Sequence, residues 1–225
     1  MNDQPAQVTY DPLAAVKIPE FKNFIISRLL FIMGLRMMGT LVGWWIYELT
    51  NDPFSIGLVG LSEVIPALSF ALYAGHIIDL SEKRKMLLRG MTLYVLCVAV
   101  LLFLSTSFTS SHISNSRIAI CIYIIIFFSG ILRAFTGPVF GVVVAAIVPK
   151  NHLQNAVTWS QGTWLSASVI GHAAGGLLIA WIGITGTLTC IAVLVFVSML
   201  VMLQLKPKPA LNERGEKKTW ESVKE

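Results

Sequence analysis

Residues 81–108 read SEKRKMLLRGMTLYVLCVAVLLFLSTSF: a charged segment is followed by a long apolar run. An α-helix rises about 1.5 Å per residue, so roughly 20 apolar residues cross the hydrocarbon core of a bilayer. The run from Met86 to Phe108 has that length. The basic segment before it is too charged to lie in lipid. This stretch therefore predicts a transmembrane helix that starts beside a charged aqueous loop.

The whole chain has the composition of a membrane protein. Only 13% of the 225 residues are charged, against about 25% in soluble domains, while 55% are hydrophobic and the mean hydropathy is +0.73. The apolar runs predict six transmembrane helices, at about 24–49, 54–78, 86–108, 118–140, 157–181 and 183–205. We therefore expect an all-α polytopic membrane protein, with a cytoplasmic segment at 1–20, a six-helix bundle at 21–205 and a cytoplasmic linker at 206–225 that leads to a second half.

The basic residues predict the orientation of these spans. Most of the 17 Lys and Arg residues, including Arg28, fall on the inner side or its interface if the amino terminus lies inside, and basic loops are retained in the cytoplasm. Both termini are then cytoplasmic, in the cell (inner or plasma) membrane. The polar first twenty residues contain no cleavable signal pattern. The net charge of +5 comes from basic residues that line the cytoplasmic face of the membrane. We therefore expect no nucleic-acid partner.

Other chemistries find no support in the sequence. The three cysteines, Cys97, Cys121 and Cys190, lie inside apolar runs without a histidine at ligand spacing, so we expect packing residues and neither a disulfide nor a metal site. Nucleophile-elbow, phosphate-loop and metalloprotease motifs are missing from the sequence, and we expect no enzyme and no cofactor.

The loop between the second and third spans resembles the signature loop of the major facilitator superfamily. It keeps the glycine, the aspartate and the basic run of the family pattern, at Gly75, Asp79, Lys83, Arg84 and Lys85. Leu80 and Glu82 stand where the family has Arg and Gly. The resemblance implies an inner gate in which the aspartate pairs with a basic residue and the contact breaks on rocking. The alternative is a plain basic loop with a capping aspartate.

A second resemblance lies in the fourth span, where residues 133–137 are similar to the family's Arg-x-x-Gln-Gly motif, with Thr136 in place of Gln and Gly137 retained. In the family this arginine is associated with proton coupling. An arginine at membrane depth costs at least about 2.5 kcal/mol, so it should face a cavity or a carboxylate. Glu63 is the only acidic residue well inside a predicted span, and we expect it to pair with Arg36 or Arg133, as a proton site or as a static ion pair.

A third resemblance lies in the fifth span, where residues 171–176 are similar to the family's Gly-Pro-x-x-Gly-Gly segment. Gly171, Gly175 and Gly176 are expected to allow close helix packing. His172 replaces the proline, which removes the kink and weakens an antiporter assignment. We expect His172 either to titrate in the transport path or to be a packing residue.

Together these motifs, with the junction at residues 49–58, resemble the bacterial exporter branch that includes enterobactin and macrolide efflux proteins. Arg36 and Pro53 recur as Arg133 and Pro149 at nearly equal offsets, which favours two inverted three-helix repeats, half of the family fold. The resemblance implies a secondary transporter that exports a small amphipathic molecule, coupled to protons or another ion. Its partners would be that substrate, the coupling ion, the lipid bilayer and a second six-helix half. The alternative is a non-transporting six-span module or partner subunit.

Overall fold

The structure is a computed structural model that describes residues 11–206; the predicted linker beyond residue 206 and the first ten residues lie outside the described residues. Helices account for nearly all of the described part, which contains no strand. The elements in order are α1 (Pro19–Thr50), α2 (Pro53–Leu80), α3 (Lys83–Leu104), the short α4 (Ser107–His112), α5 (Asn115–Ile147), a 3-10 turn (Lys150–His152) and α6 (Leu153–Met202). The all-α prediction is confirmed.

Five of these helices are long and apolar enough to cross a membrane. The fifth, α6, has 50 residues and would reach about 75 Å if straight, more than twice the hydrocarbon thickness. It is interrupted at Gly183, whose φ of 68° and ψ of −172° are not helical. A φ in this range favours glycine because it lacks a Cβ. We therefore treat α6 as two arms, residues 153–182 and 184–202.

Contacts to α1 show that the chain reverses direction between the two arms. Near the start of α6, Asn155 accepts a hydrogen bond of 3.1 Å from the Ala15 amide. Just beyond its end, Gln204 accepts one of 2.9 Å from Asn23. Both ends of α6 therefore lie beside the start of α1, and the arms run in opposite directions. Counting the arms separately, the described residues hold the six predicted spans.

The turn between α1 and α2 has a local cause in the sequence. Asn51 takes a left-handed conformation, with φ of 53°, and its amide bonds back to the Tyr47 carbonyl. Asp52 then caps α2 by accepting a hydrogen bond of 3.0 Å from the Phe54 amide. Pro53 starts the new helix, where its missing N–H costs nothing. The turn cluster at residues 50–53 thus ends one span and begins the next.

Helix α1 is the most buried of these membrane helices and α2 the least. The two arms of α6 both pack on α1, and Ser27 of α1 forms a buried hydrogen bond to Ser198. Helix α2 packs mainly on α5 and leaves much of its apolar surface exposed. These pairings leave a space between α1, α2 and α5, which is lined by the candidate coupling residues Glu63 and Arg133.

Two elements differ from the sequence prediction. The third predicted span runs to residue 108, but α3 ends at Leu104 and the six-residue helix α4 follows it at Ser107–His112. Helix α5 was expected to end near residue 140, yet it stays helical through Pro138 and ends at Ile147. A proline removes a main-chain hydrogen bond from the helix. In a transmembrane helix, neighbouring helices and side chains can satisfy the freed carbonyl, so the helix can continue past the proline. The residues after it, VFGVVVAAI, are apolar enough to continue the helix.

Candidate functional site

A cavity of about 350 Å³ opens between α1, α2, α3, α5 and the first arm of α6. Its wall carries both charged groups and aromatic rings, which is unusual within the apolar part of a membrane protein. The charged residues and the histidine on the wall are Arg28, Arg36, Glu63, Arg133 and His172. Gly137, predicted as part of the transport path, also lines it. The cavity therefore brings together all five transport-path residues that the sequence singled out, and adds Arg28.

Glu63 and Arg133 form an ion pair across the cavity wall. Arg133 Nη1 lies 2.5 Å from Glu63 Oε1, and the two side chains are 46% and 34% exposed. Partial exposure means that water or a solute can reach both groups. Of the two arginines that the sequence left open as partners of Glu63, the structure pairs Arg133. Within the described residues this is the one ion pair inside the predicted spans.

Gly130 explains why the pair can form. A Cβ on Gly130 would collide with the Glu63 carbonyl oxygen and would lie 2.8 Å from Pro66 Cγ. Helices α2 and α5 are therefore in backbone contact at this point, and Arg133 sits one turn further along α5. Gly130 is not predictable from the sequence, because a lone glycine in an apolar run carries no signal of which helix it contacts.

Arg36 and Arg28 are held by neutral groups instead of carboxylates. Arg36 Nε donates a hydrogen bond of 3.2 Å to Ser168 Oγ, and its guanidinium lies 5.5 Å from the Trp164 ring centre. Arg28 Nη1 donates to Ser160 Oγ, and its guanidinium lies 5.4 Å from the Phe140 ring centre. Hydroxyl and ring contacts orient a guanidinium without neutralising it.

The position of Arg28 differs from the sequence expectation, which placed it at the cytoplasmic interface. It is only 8% exposed, lines the cavity and leaves its Nε without a hydrogen-bond partner. Sequence reasoning grouped it with the inner basic residues because it lies close to the start of the first span. Hydropathy locates a residue along the helix axis, whereas the direction of its side chain depends on packing.

His172 also faces the cavity, where its Nδ1 lies 2.9 Å from Thr40 Oγ1. The nearby glycines divide into two groups. A Cβ on Gly171 would lie 2.8 Å from the Met33 carbonyl oxygen, and one on Gly175 would lie 3.1 Å from Met37 Cα, so both allow close approach of α1. A Cβ on Gly176 would meet no atom within 4 Å.

The loop between α2 and α3 lies apart from the cavity. Lys83 is 2% exposed, and its Nζ donates to the carbonyl oxygens of Ile78, Asp79 and Ser81, so it caps the end of α2. Arg84 donates a hydrogen bond of 2.8 Å to the Leu203 carbonyl, and Lys85 pairs with Glu82 at 2.6 Å. None of the ion pairs formed within residues 11–206 includes the Asp79 carboxylate. A Cβ on Gly75 would meet open space.

The described residues contain no group of His, Cys, Asp and Glu side chains arranged to hold a metal ion. The three cysteines are free thiols in separate helices. What the cavity offers chemically is a set of hydrogen-bond donors, aromatic faces and one carboxylate, within reach of water. Such a lining has the mixed polar and apolar character of a small-molecule pocket.

Comparison with known proteins agrees with this architecture. A model of the Major Facilitator Superfamily matches residues 24–225. The chain is 26% identical over 184 residues to the Staphyloferrin A transporter of Staphylococcus aureus (strain NCTC 8325 / PS 47), a match that covers 82% of this chain and 45% of that protein. Its fold is similar to the crystal structure of the POT family transporter PepTSo, with a TM-score of 0.70 and 17% identity, over 86% of this chain and 39% of that chain.

The chain thus spans less than half the length of either relative. The likeness to the solved structure concerns the fold alone, whereas the family model covers most of the sequence. With six apolar spans, a polar cavity between them and a family match over nine-tenths of its length, the chain belongs to the Major Facilitator Superfamily.

Proposed function

We propose that this chain is one six-helix half of a proton-coupled exporter, which moves a small amphipathic molecule across the cell membrane by alternating access. The observation that carries the proposal is the Glu63–Arg133 ion pair on the wall of a cavity inside the spans. A partly exposed carboxylate held by a guanidinium can exchange its partner for a proton when the arginine turns to another anion. Proton binding and substrate binding are then linked at one site.

The proposed transport cycle also needs a second six-helix half. Alternating access is a rocking of two halves around a shared site. This chain spans 45% of the Staphyloferrin A transporter, whose name supports a small-molecule substrate for its relatives. Helix α2 is the least buried of the membrane helices, which leaves a surface for that second half. We place both termini in the cytoplasm, following the distribution of basic residues.

We assign the inner gate to the loop from Gly75 to Lys85. Lys83 ties the end of α2 to the start of α3, and Arg84 ties α3 to the carboxyl end of α6. The Asp79 carboxylate lies beside these groups and would accept a basic partner when the inner face closes. The proposed gate is thus a loop held by the hydrogen bonds of Lys83 and Arg84, in which the Asp79 carboxylate is the group that changes its partner.

The test measures transport in everted membrane vesicles. The vesicles come from cells that express the native gene to which this sequence belongs. A pH gradient is followed with a fluorescent weak base, and a panel of anionic, neutral and cationic amphipathic compounds is added in turn. A transported compound dissipates the gradient in wild-type vesicles. Glu63→Gln and Arg133→Ala should abolish that response, while Glu48→Gln, at an exposed carboxylate near the carboxyl end of α1, should keep it. Unchanged responses in both cavity variants would refute the coupling assignment.

The alternative, a non-transporting six-span module, predicts a different result. Native mass measurement of the protein from its native gene should then give a single six-span chain. A stable monomer of that size cannot carry out alternating access between two halves. A twelve-span protein or a complex of two six-span units supports the transporter.

A further inference from the structure

The charges on the cavity wall do not balance. Three guanidinium groups line the cavity, those of Arg28, Arg36 and Arg133, against one carboxylate, that of Glu63. Glu63 is already paired with Arg133. Over residues 11–206, the cavity wall offers no carboxylate to the other two arginines, so it carries an excess of about two positive charges.

An unbalanced guanidinium in a membrane interior is unfavourable, so its retention calls for a functional reason. Both arginines are oriented by weak partners. Arg36 is held by Ser168 and the Trp164 ring, and Arg28 by Ser160 and the Phe140 ring. Each guanidinium has five N–H donors, most of which these contacts leave available. The buried Arg28 Nε has no partner at all.

The two arginines are separated along α1 by an apolar surface. They are eight residues apart, which corresponds to about 12 Å along the helix axis. Ile32 and Leu35 lie between them and line the same cavity. The wall therefore presents a cation, an apolar patch and a second cation in order. The complementary molecule has acid groups at two positions, joined by an apolar body.

We propose that the cavity binds an organic dianion, whose two oxyanion groups are held by Arg28 and Arg36 while its apolar body packs on the side chains between them. A guanidinium suits this role because its planar fork donates two parallel hydrogen bonds to a carboxylate or phosphate. The inference rests on the proposed transport function, since it names the class of molecule carried. Arg133 lies on the same cavity wall, where the bound dianion is the anion to which it turns when Glu63 takes a proton.

The experiment measures binding to the protein from its native gene, held in lipid nanodiscs. The probes are sebacate, a ten-carbon dicarboxylate, with decanoate, dimethyl sebacate and decane diamine as one-acid, neutral and cationic counterparts. Trp164, beside Arg36, supplies a fluorescence signal, and Trp164→Phe identifies it. Sebacate should bind roughly tenfold or more tightly than decanoate. The reason is that one additional hydrogen-bonded contact between charged groups raises the affinity by about this factor. The diester and the diamine should not bind saturably.

The variants assign the two ends of the ligand. Arg36→Gln should weaken sebacate binding roughly tenfold or more, to about the decanoate level, and the double variant with Arg28→Gln should abolish it. Arg117→Gln, an exposed arginine outside the cavity, is the matched control and should bind as wild type does. Because Arg28 is buried and its variant can fail to fold, the ranking of the four probes on the wild-type protein is an independent test.

Three results would overturn the inference. Equal or tighter binding of the diester or the diamine would mean that the cavity does not select anions. Sebacate binding unaffected by Arg36→Gln would place the anion elsewhere. No sebacate binding, together with arginine variants that destabilise the protein, would mean that carboxylates of a second half balance the charge.

The same experiments separate this inference from the proposed function. Vesicles that move a neutral or cationic compound in a Glu63-dependent way, from a protein that does not bind sebacate, would retain the transporter and reject the dianion. Saturable sebacate binding without transport of any compound would retain the anion site and reject the transporter.

Discussion

The contact between α1 and the first arm of α6 predicts a graded response to glycine substitution. A Cβ on Gly171 would lie 2.8 Å from both the Met33 carbonyl oxygen and Arg36 Cβ, where ordinary contacts begin near 3.4 Å. The arm must therefore move by about 0.6 Å, and its neighbours are backbone or Cβ atoms that cannot rotate away. At Gly175 the corresponding distance is 3.1 Å, and at Gly176 there is no contact within 4 Å.

All three Gly→Ala changes share the same gain in helix propensity, about 1 kcal/mol, so their differences isolate the packing cost. Overpacking of this kind costs about 1–3 kcal/mol. We expect Gly171→Ala to be less stable than Gly176→Ala by about that amount, with Gly175→Ala between them. Reversible unfolding in mixed micelles with increasing SDS, followed by circular dichroism, gives the three free energies of unfolding. If Gly171→Ala were as stable as Gly176→Ala, the close approach of α1 to this arm would be wrong.

Two further contacts predict measurable effects. Gly130→Ala forces α2 away from α5, so it should lower stability by about 1–3 kcal/mol and weaken the proposed proton-coupled transport. Gly141→Ala on the same helix, facing open space, should do neither. Lys83→Met leaves the buried Ile78 carbonyl oxygen at the end of α2 without its lysine donor and should cost about 1–3 kcal/mol in the same unfolding assay. Lys85→Met, at an exposed position, is its control; equal losses in the two lysine variants would contradict the capping role.

Sequence patterns predicted the spans because hydropathy and turn chemistry act locally. The cluster at residues 50–53 holds a left-handed Asn51 and a capping Asp52, and both residue types favour those roles. The break between the fifth and sixth spans falls at Gly183, as the apolar runs predicted. The predicted end of the fourth span, near residue 140, falls short of the end of α5 at Ile147, because lipid strongly favours continued helix.

The sequence did not predict which helices contact each other or which way their side chains point. Nothing along the chain says that Gly130 brings α2 against α5, and this contact selects Arg133 over Arg36 as the partner of Glu63. Arg28 was grouped with the basic residues of the inner face because it is near a helix start. Its direction into the cavity follows from the packing of α1 between the two arms of α6. The excess positive charge of the cavity follows from the structure, which places these three arginines on one cavity wall.

The central claim is that a water-accessible cavity runs among these six spans. It is tested by labelling single cysteines, in a variant whose three native cysteines are replaced by serine, with a polar maleimide in permeabilised membranes. Gly60 lines the cavity and has open space beside it, whereas Leu96 is an exposed apolar residue of α3 outside the cavity, where we expect lipid. We predict that Gly60→Cys reacts and Leu96→Cys does not. An unreactive Gly60→Cys beside a reactive Leu96→Cys would contradict the account.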